Sequence, residues 1–223
     1  MRRFCPRDGE LQNGILNCTN LGGFFVDCGT AQVSVEIAMV SRMKPILIIV
    51  LLLFGLVIRG LAGERLVGTT PSEWSVTNWI NLAPLELKKL HGKVVLVRWW
   101  TAPDCPYCRA TAPALNLFHE QYAARGLQVI GFYHHKSDEP LRVEGVRTFA
   151  NDFGFKFPVA IDSDWKTLHR WWLDQGNEKW TSVSFLIDRR GVIRLIHPGG
   201  EYVKGDKDYA KMKAMIERLL AEK

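Results

Sequence analysis

The chain has 223 residues with 47% hydrophobic content, which suits one or two packed domains and excludes a disordered or fibrous chain. Lysine and arginine outnumber aspartate and glutamate 29 to 23, a net charge of +6 with no long basic run, so no nucleic-acid partner is expected. The five cysteines (Cys5, Cys18, Cys28, Cys105, Cys108) are an odd number and cannot all pair within the chain.

Residues 1–42 show no sustained helical or strand period and read as an upstream extension, the product of an early start codon, with translation beginning at Met43 or Met39. A genuine cytoplasmic extension is the alternative. Ile46–Val57 is an uncharged apolar run preceded by Arg42 and Lys44 and followed by Gly60, Leu61, Ala62 and Gly63. Residues 43–63 therefore read as a signal peptide, because the run stops at Arg59, short of the about 20 residues that span a bilayer. An uncleaved membrane anchor is the alternative. The protein is expected to be exported, periplasmic or otherwise extracytoplasmic, and residues 64–223 to form one domain that keeps only Cys105 and Cys108.

Within that domain Val94–Val97 is a continuous apolar, mostly β-branched run, as in a central strand covered on both faces. Tyr107 to Ala124 reads as a helix with Leu115, Phe118 and Tyr122 on one face, stopped by Gly126. Leu127 to Tyr133 reads as the next strand. A helix over Leu141 to Phe153, a short strand over Phe157 to Ile161 and a helix over Trp165 to Trp172 follow. Phe185–Asp188 and Val192–Ile196 form a hairpin whose Gly191 suits a positive φ. A closing helix over Asp206 to Glu222 carries the stripe Tyr209, Met212, Ile216, Leu219 and Leu220. The order implies an α/β sandwich with a mixed central sheet flanked by helices.

Cys105-Pro106-Tyr107-Cys108 falls between the buried strand and the first helical turn. There, unpaired N–H groups and the helix dipole stabilise a thiolate, which lowers the Cys105 pKa from the free value of about 8.5. Pro106 fits the first helical position without losing a donor. Cys108, one turn further in, lies within disulfide reach and is expected to be more buried. Cys105 would attack a substrate disulfide and Cys108 would resolve the mixed disulfide, with no cofactor beyond the redox-active disulfide. A structural disulfide, a zinc site, for which the adjacent His134 and His135 are poorly spaced as the two further ligands, and two unpaired thiols stay open as alternatives.

Lys93 to Phe118 (KVVLVRWWTAPDCPYCRATAPALNLF), with its strand, aromatic pair, CxxC and Pro113, resembles the active-site region of the thioredoxin superfamily, nearest to the exported TlpA-like thiol-disulfide oxidoreductases. The hairpin SFLIDRRGVIR from Ser184 to Arg194 is similar to the FLID..G segment of that family, and the likeness covers nearly all of residues 72–223. It implies a thioredoxin-like three-layer sandwich and a disulfide-containing protein substrate, such as an exported protein or a cytochrome c maturation component. It also implies a membrane thiol electron donor. Disulfide oxidase or isomerase, thiol peroxidase and a non-catalytic binding module are the other functions weighed.

The sequence departs from the family at two places. Ser182, after Thr181, stands where members carry a cis-proline; a cis bond before a non-proline residue costs about 2.5–4 kcal/mol, so a trans loop is expected. Arg98 stands where many members bury a carboxylate, two residues before Trp100. Pointing inward it would favour thiolate; at a strand end its head would reach solvent. One extra residue between Trp100 and Cys105 leaves the face open. His134, at a strand end, is expected to titrate near the thiols or touch substrate, or to be an exposed loop residue. Trp165, Trp171, Trp172 and Trp180 would wall a groove or pack the core.

Overall fold

Short apolar strands and amphipathic helices alternate along the chain and assemble a six-stranded mixed sheet covered on both faces. The computed structural model describes residues 65–176 and 180–222, all within one compact unit, Val57–Lys223. The expected extension at 1–42 and signal peptide at 43–63 lie outside the described residues. Among the described residues no helix is long and apolar enough to cross a membrane.

In chain order the elements are β1 (Asn78–Ile80), β2 (Val94–Trp100), α1 (Pro106–Tyr122), β3 (Leu127–Tyr133), α2 (Val143–Asp152), β4 (Val159–Ile161), α3 (Lys166–Trp171), β5 (Ser184–Ile187), β6 (Ile193–His197) and α4 (Lys207–Ala221). The strand order is β1-β4-β3-β2-β5-β6. β2, β3 and β4 run parallel, while β1, β5 and β6 pair antiparallel to their neighbours. β2 is central, which is why all seven of its residues are buried.

Alternation along β2 sorts its side chains into two cores. Val94, Leu96 and Trp100 pack against α1 and α4 through Leu115, Phe118, Met212 and Ile216. Val95, Val97 and Trp99 face α3, with Leu168, Trp171 and Trp172. The helices expected at Leu141–Phe153 and Trp165–Trp172 are shorter at both ends. Arg142 and Trp165 are their N-caps, Trp165 in the left-handed region at φ 60°. β1 and a 3₁₀ turn at Leu87–Leu90 had no periodic signal in the sequence. Gly191 has φ 83° in the β5–β6 turn, as its hairpin role requires.

Candidate active site

α1 starts directly beyond the C-terminal end of β2, so the strand delivers the helix N-terminus to the edge of the sheet. Cys105 is the N-cap in extended conformation, and Pro106 occupies the first turn. Cys105 and Cys108 form a disulfide with Cα atoms 5.2 Å apart. The backbone N–H of Cys108 donates to Cys105 Sγ at 3.1 Å. That bond satisfies one of the open N–H groups of the first turn and places a donor on the sulfur that would carry the thiolate. Cys105 is half-buried, whereas Cys108 is buried in the core with Ala112 and Leu115. The outer sulfur is thus the more accessible of the two.

Beneath the helix, Arg98 points inward and is fully buried. Its Nη2 donates to Gly200 O at 2.6 Å and lies 3.5 Å from Thr111 Oγ1, while Nη1 donates to Ser184 Oγ at 3.3 Å. The guanidinium stands 5.4 Å from the centre of the Tyr202 ring, and Nε has no partner. Among the described residues no ion pair includes Arg98. Burial pushes its pKa down, yet a guanidinium has so high an intrinsic value that it keeps its proton. Burial likewise pushes the Tyr202 phenol up. His197, whose ring lies 5.0 Å from that of Tyr202, is held down to about 4, first by burial and then by Arg98.

Trp100 is buried, and its indole leaves no room opposite: a Cβ at residue 131 would sit 2.9 Å from Trp100 Nε1, so β3 carries Gly131 there. Thr181 is half-buried and Ser182 buried, beside Val183, whose carbonyl accepts from Trp99 N at 2.9 Å. Among the described residues the one cis peptide is Ala102–Pro103, so the Thr181–Ser182 bond is trans.

His134 is not an exposed loop residue, and its ring bonds neither sulfur. It is fully buried, neither ring nitrogen has a hydrogen-bond partner among the described residues, and its ring lies edge-on to Trp165 at 5.0 Å. Burial, with Lys136 nearby, drives its pKa to about 3, so it is neutral at any physiological pH. His135 instead bonds Tyr133 Oη at 3.0 Å and Glu139 O at 2.6 Å. Of the four tryptophans expected to wall a groove or pack the core, Trp171 and Trp172 are core and Trp165 is half-buried. Trp180 alone is exposed, at 55%, with its ring 5.9 Å from that of Tyr107, itself 39% exposed inside the CxxC. Residue 199 must be glycine beneath it, since a Cβ there would lie 2.4 Å from Trp180 Cβ. A groove of about 330 Å³ opens beside the site between Ala102, Pro103, Tyr133, Leu141 and Phe149. Among the described residues no cluster of three or more His, Cys, Asp or Glu is placed to hold a metal ion.

A family model, Redoxin, matches residues 80–216, from β1 into α4. The chain belongs to the Redoxin family. Among the relatives of this Redoxin chain, Protein DipZ of Mycobacterium bovis is 30% identical over 164 residues, which cover 72% of this chain and 22% of DipZ. Thiol-disulfide oxidoreductase ResA of Bacillus thuringiensis is 31% identical over 109 residues, 49% of this chain and 57% of ResA. The chain therefore spans less than two thirds of either curated relative. The crystal structure of a thiol-disulfide isomerase from Corynebacterium glutamicum is 26% identical with a TM-score of 0.56, covering 70% of this chain and 98% of that one. The fold is thus thioredoxin-like, as the resemblance of the CxxC region implied.

The polar partners around Arg98, namely Thr111, Ser184, Tyr202 and Gly200, were not singled out from the sequence. They come from three separate elements, and only the fold assembles them.

Proposed function

We propose that this Redoxin-family chain is an exported thiol:disulfide oxidoreductase whose Cys105–Cys108 pair exchanges electrons with protein disulfides. The observation that carries the reading is the asymmetric pair at a helix start, with a reachable Cys105 and a buried Cys108 whose amide bonds the outer sulfur. Helix N-terminal N–H groups favour thiolate there.

In the reduced enzyme Cys105 thiolate attacks one sulfur of the substrate disulfide, forming a mixed disulfide and expelling the other substrate sulfur as thiolate. Cys108, as thiolate after giving up its proton, then attacks Cys105 Sγ and releases the second substrate thiolate. The substrate has gained two electrons and the enzyme holds its own disulfide again. A dithiol donor, read as a membrane thiol protein, returns the enzyme to the reduced form. The pair itself carries the electrons, so the cycle requires no cofactor. The substrates of this reading are exported proteins with disulfides, including components of cytochrome c maturation. The apolar run Ile46–Val57 behind Arg42 and Lys44 supports export.

A second direction, oxidase or isomerase, has one observation in its favour: the buried Arg98 cation has no carboxylate partner among the described residues, and a cation that stabilises the thiolate favours the reduced form, which makes a couple more oxidising. A reduction potential near or above the about −200 to −230 mV of glutaredoxins would sink the dedicated reductase and leave that second direction. For the activity itself, insulin reduction driven by dithiothreitol is the test. The wild-type chain accelerates it and Cys105→Ser does not; a wild type no faster than dithiothreitol alone overturns the proposal.

A further inference from the structure

The buried guanidinium and the half-buried Cys105 sulfur are joined by an unbroken line of hydrogen-bonding groups. Arg98 Nη2 meets Thr111 Oγ1 at 3.5 Å, and Thr111 Oγ1 donates to Tyr107 O at 2.8 Å. The Tyr107 carbonyl and the Cys108 N–H belong to one peptide unit, and that N–H donates to Cys105 Sγ at 3.1 Å. The direction of the line is fixed by the groups themselves. A hydroxyl offers one donor and two acceptor positions, and a guanidinium donates only. Thr111 Oγ1 also takes the Tyr202 N–H at 3.4 Å, so both neighbours on the sheet side are donors and the hydroxyl proton goes to Tyr107 O.

We infer that Arg98 and Thr111 are positioning residues that set the acidity of Cys105 and the reduction potential of the pair, by polarising the Tyr107–Cys108 peptide toward the Cys105 sulfur. A cation at one end of a hydrogen-bonded chain strengthens each bond along it, and a bond to an anion gains most. The oxidised enzyme has no anion for Arg98 to face. Reduction supplies one: a dithiol donor gives two electrons, the Cys105–Cys108 bond breaks, the donor closes its own disulfide, and Cys105 thiolate and Cys108 thiol remain while one proton leaves to solvent. The cation therefore stabilises the reduced state selectively. The other titratable groups that feel Arg98 are Tyr202, against the guanidinium, His134, and His197, which faces Asp208 at 3.8 Å and is also near Asp206; Asp104, next to Cys105, is exposed, and among the described residues Arg98 bonds no carboxylate.

The inference rests on Cys105–Cys108 being the redox pair of the proposed activity. The test measures two quantities on the full-length chain: the Cys105 thiol pKa, from thiolate ultraviolet absorbance, and the reduction potential in glutathione buffers. Thr111→Val removes the hydroxyl and keeps the shape and the cation. It raises the pKa and shifts the equilibrium several-fold toward the disulfide, while Thr111→Ser, which restores the hydroxyl, returns wild-type values. Arg98→Met shifts the equilibrium about tenfold, or about 30 mV more negative. Should Arg98→Met fail to fold, Thr111→Val still decides. A folded Thr111→Val with the wild-type pKa and potential overturns the relay, even where Arg98→Met changes both, because the cation then acts without Thr111. Neither measurement uses a protein substrate. A wild type inactive on insulin whose variants shift as stated loses the proposed activity and keeps the relay; an active wild type with unshifted variants does the reverse.

Discussion

Arg98 and His134 are two fully buried nitrogen bases on neighbouring parallel strands, one within β2 and one just past the end of β3, and the fold treats them oppositely. Arg98 keeps its charge and spends it on neutral acceptors: a carbonyl, two hydroxyls and an aromatic face. Among the described residues His134 has no hydrogen-bond partner at either ring nitrogen, and it sits against an indole, where it behaves as an apolar ring. Burial removes the proton of a base with an intrinsic pKa of about 6.5 and leaves that of a far stronger base such as a guanidinium. The difference teaches that proximity to a strand end does not make a group part of the chemistry. Connection to the reacting sulfur does, and only Arg98 has it.

The largest effect expected is at the sulfur both are compared with. Cys105→Ser brings insulin reduction down to the rate of the dithiol reagent alone, with an unchanged fold by circular dichroism. Next comes the face of the sheet that carries His134. Asp162 is buried and accepts from Trp99 Nε1 at 3.2 Å, Thr167 N at 3.1 Å and Leu168 N at 2.8 Å, which ties the start of α3 to β2. Asp162→Ala should cost about 2–3 kcal/mol in urea unfolding, since it strands three donors, while the potential of the pair stays at the wild-type value. A shifted potential would show that this face also tunes the sulfurs.

His134 supplies a pH signature. Its pKa falls from 6.5 to about 3 on folding, so the unfolded chain takes up the proton first. Stability is then fully present above pH 6.5 and is lost as pH falls toward about 3, with a slope approaching about 1.4 kcal/mol per pH unit. His197, held at about 4, adds loss of the same sign. His134→Phe should flatten the acid limb of the stability curve without moving the reduction potential; a curve as steep as the wild type would mean that His134 is already charged or solvated. The smallest effect belongs to the exposed aromatic pair. Trp180→Ala raises KM for a protein disulfide a few-fold and leaves the rate with glutathione disulfide unchanged, measured by parallel steady-state assays.

The sandwich was legible because its signals are periodic and long. β2 is an apolar run, α1 has an apolar face and the 3₁₀ turn that follows it stops at Gly126, and the hairpin turns at Gly191. β1 was not legible, being a three-residue edge strand with one buried residue. Cys105 and Cys108 stood out by spacing and by their place at a helix start. Arg98 was visible but its direction was not, because one residue of register flips a strand side chain to the other face, and the extra residue before the CxxC left that register open. Thr111 gave no signal: a threonine inside a helix is ordinary until a strand places a guanidinium against its hydroxyl. The burial of His134 was hidden for the opposite reason, since its position at a strand end is shared by functional, packed and loop residues alike.

The most direct measurement of the central claim is capture by a Cys108→Ser chain expressed full length and exposed to disulfide-bearing exported proteins, with intact mass and peptide mapping of the products. Removing the resolving thiol stalls the exchange after its first step, so mixed disulfides accumulate at Cys105, are released by dithiothreitol and are absent from the Cys105→Ser, Cys108→Ser double variant. Products that never exceed those of the double variant would contradict a Cys105-centred exchange.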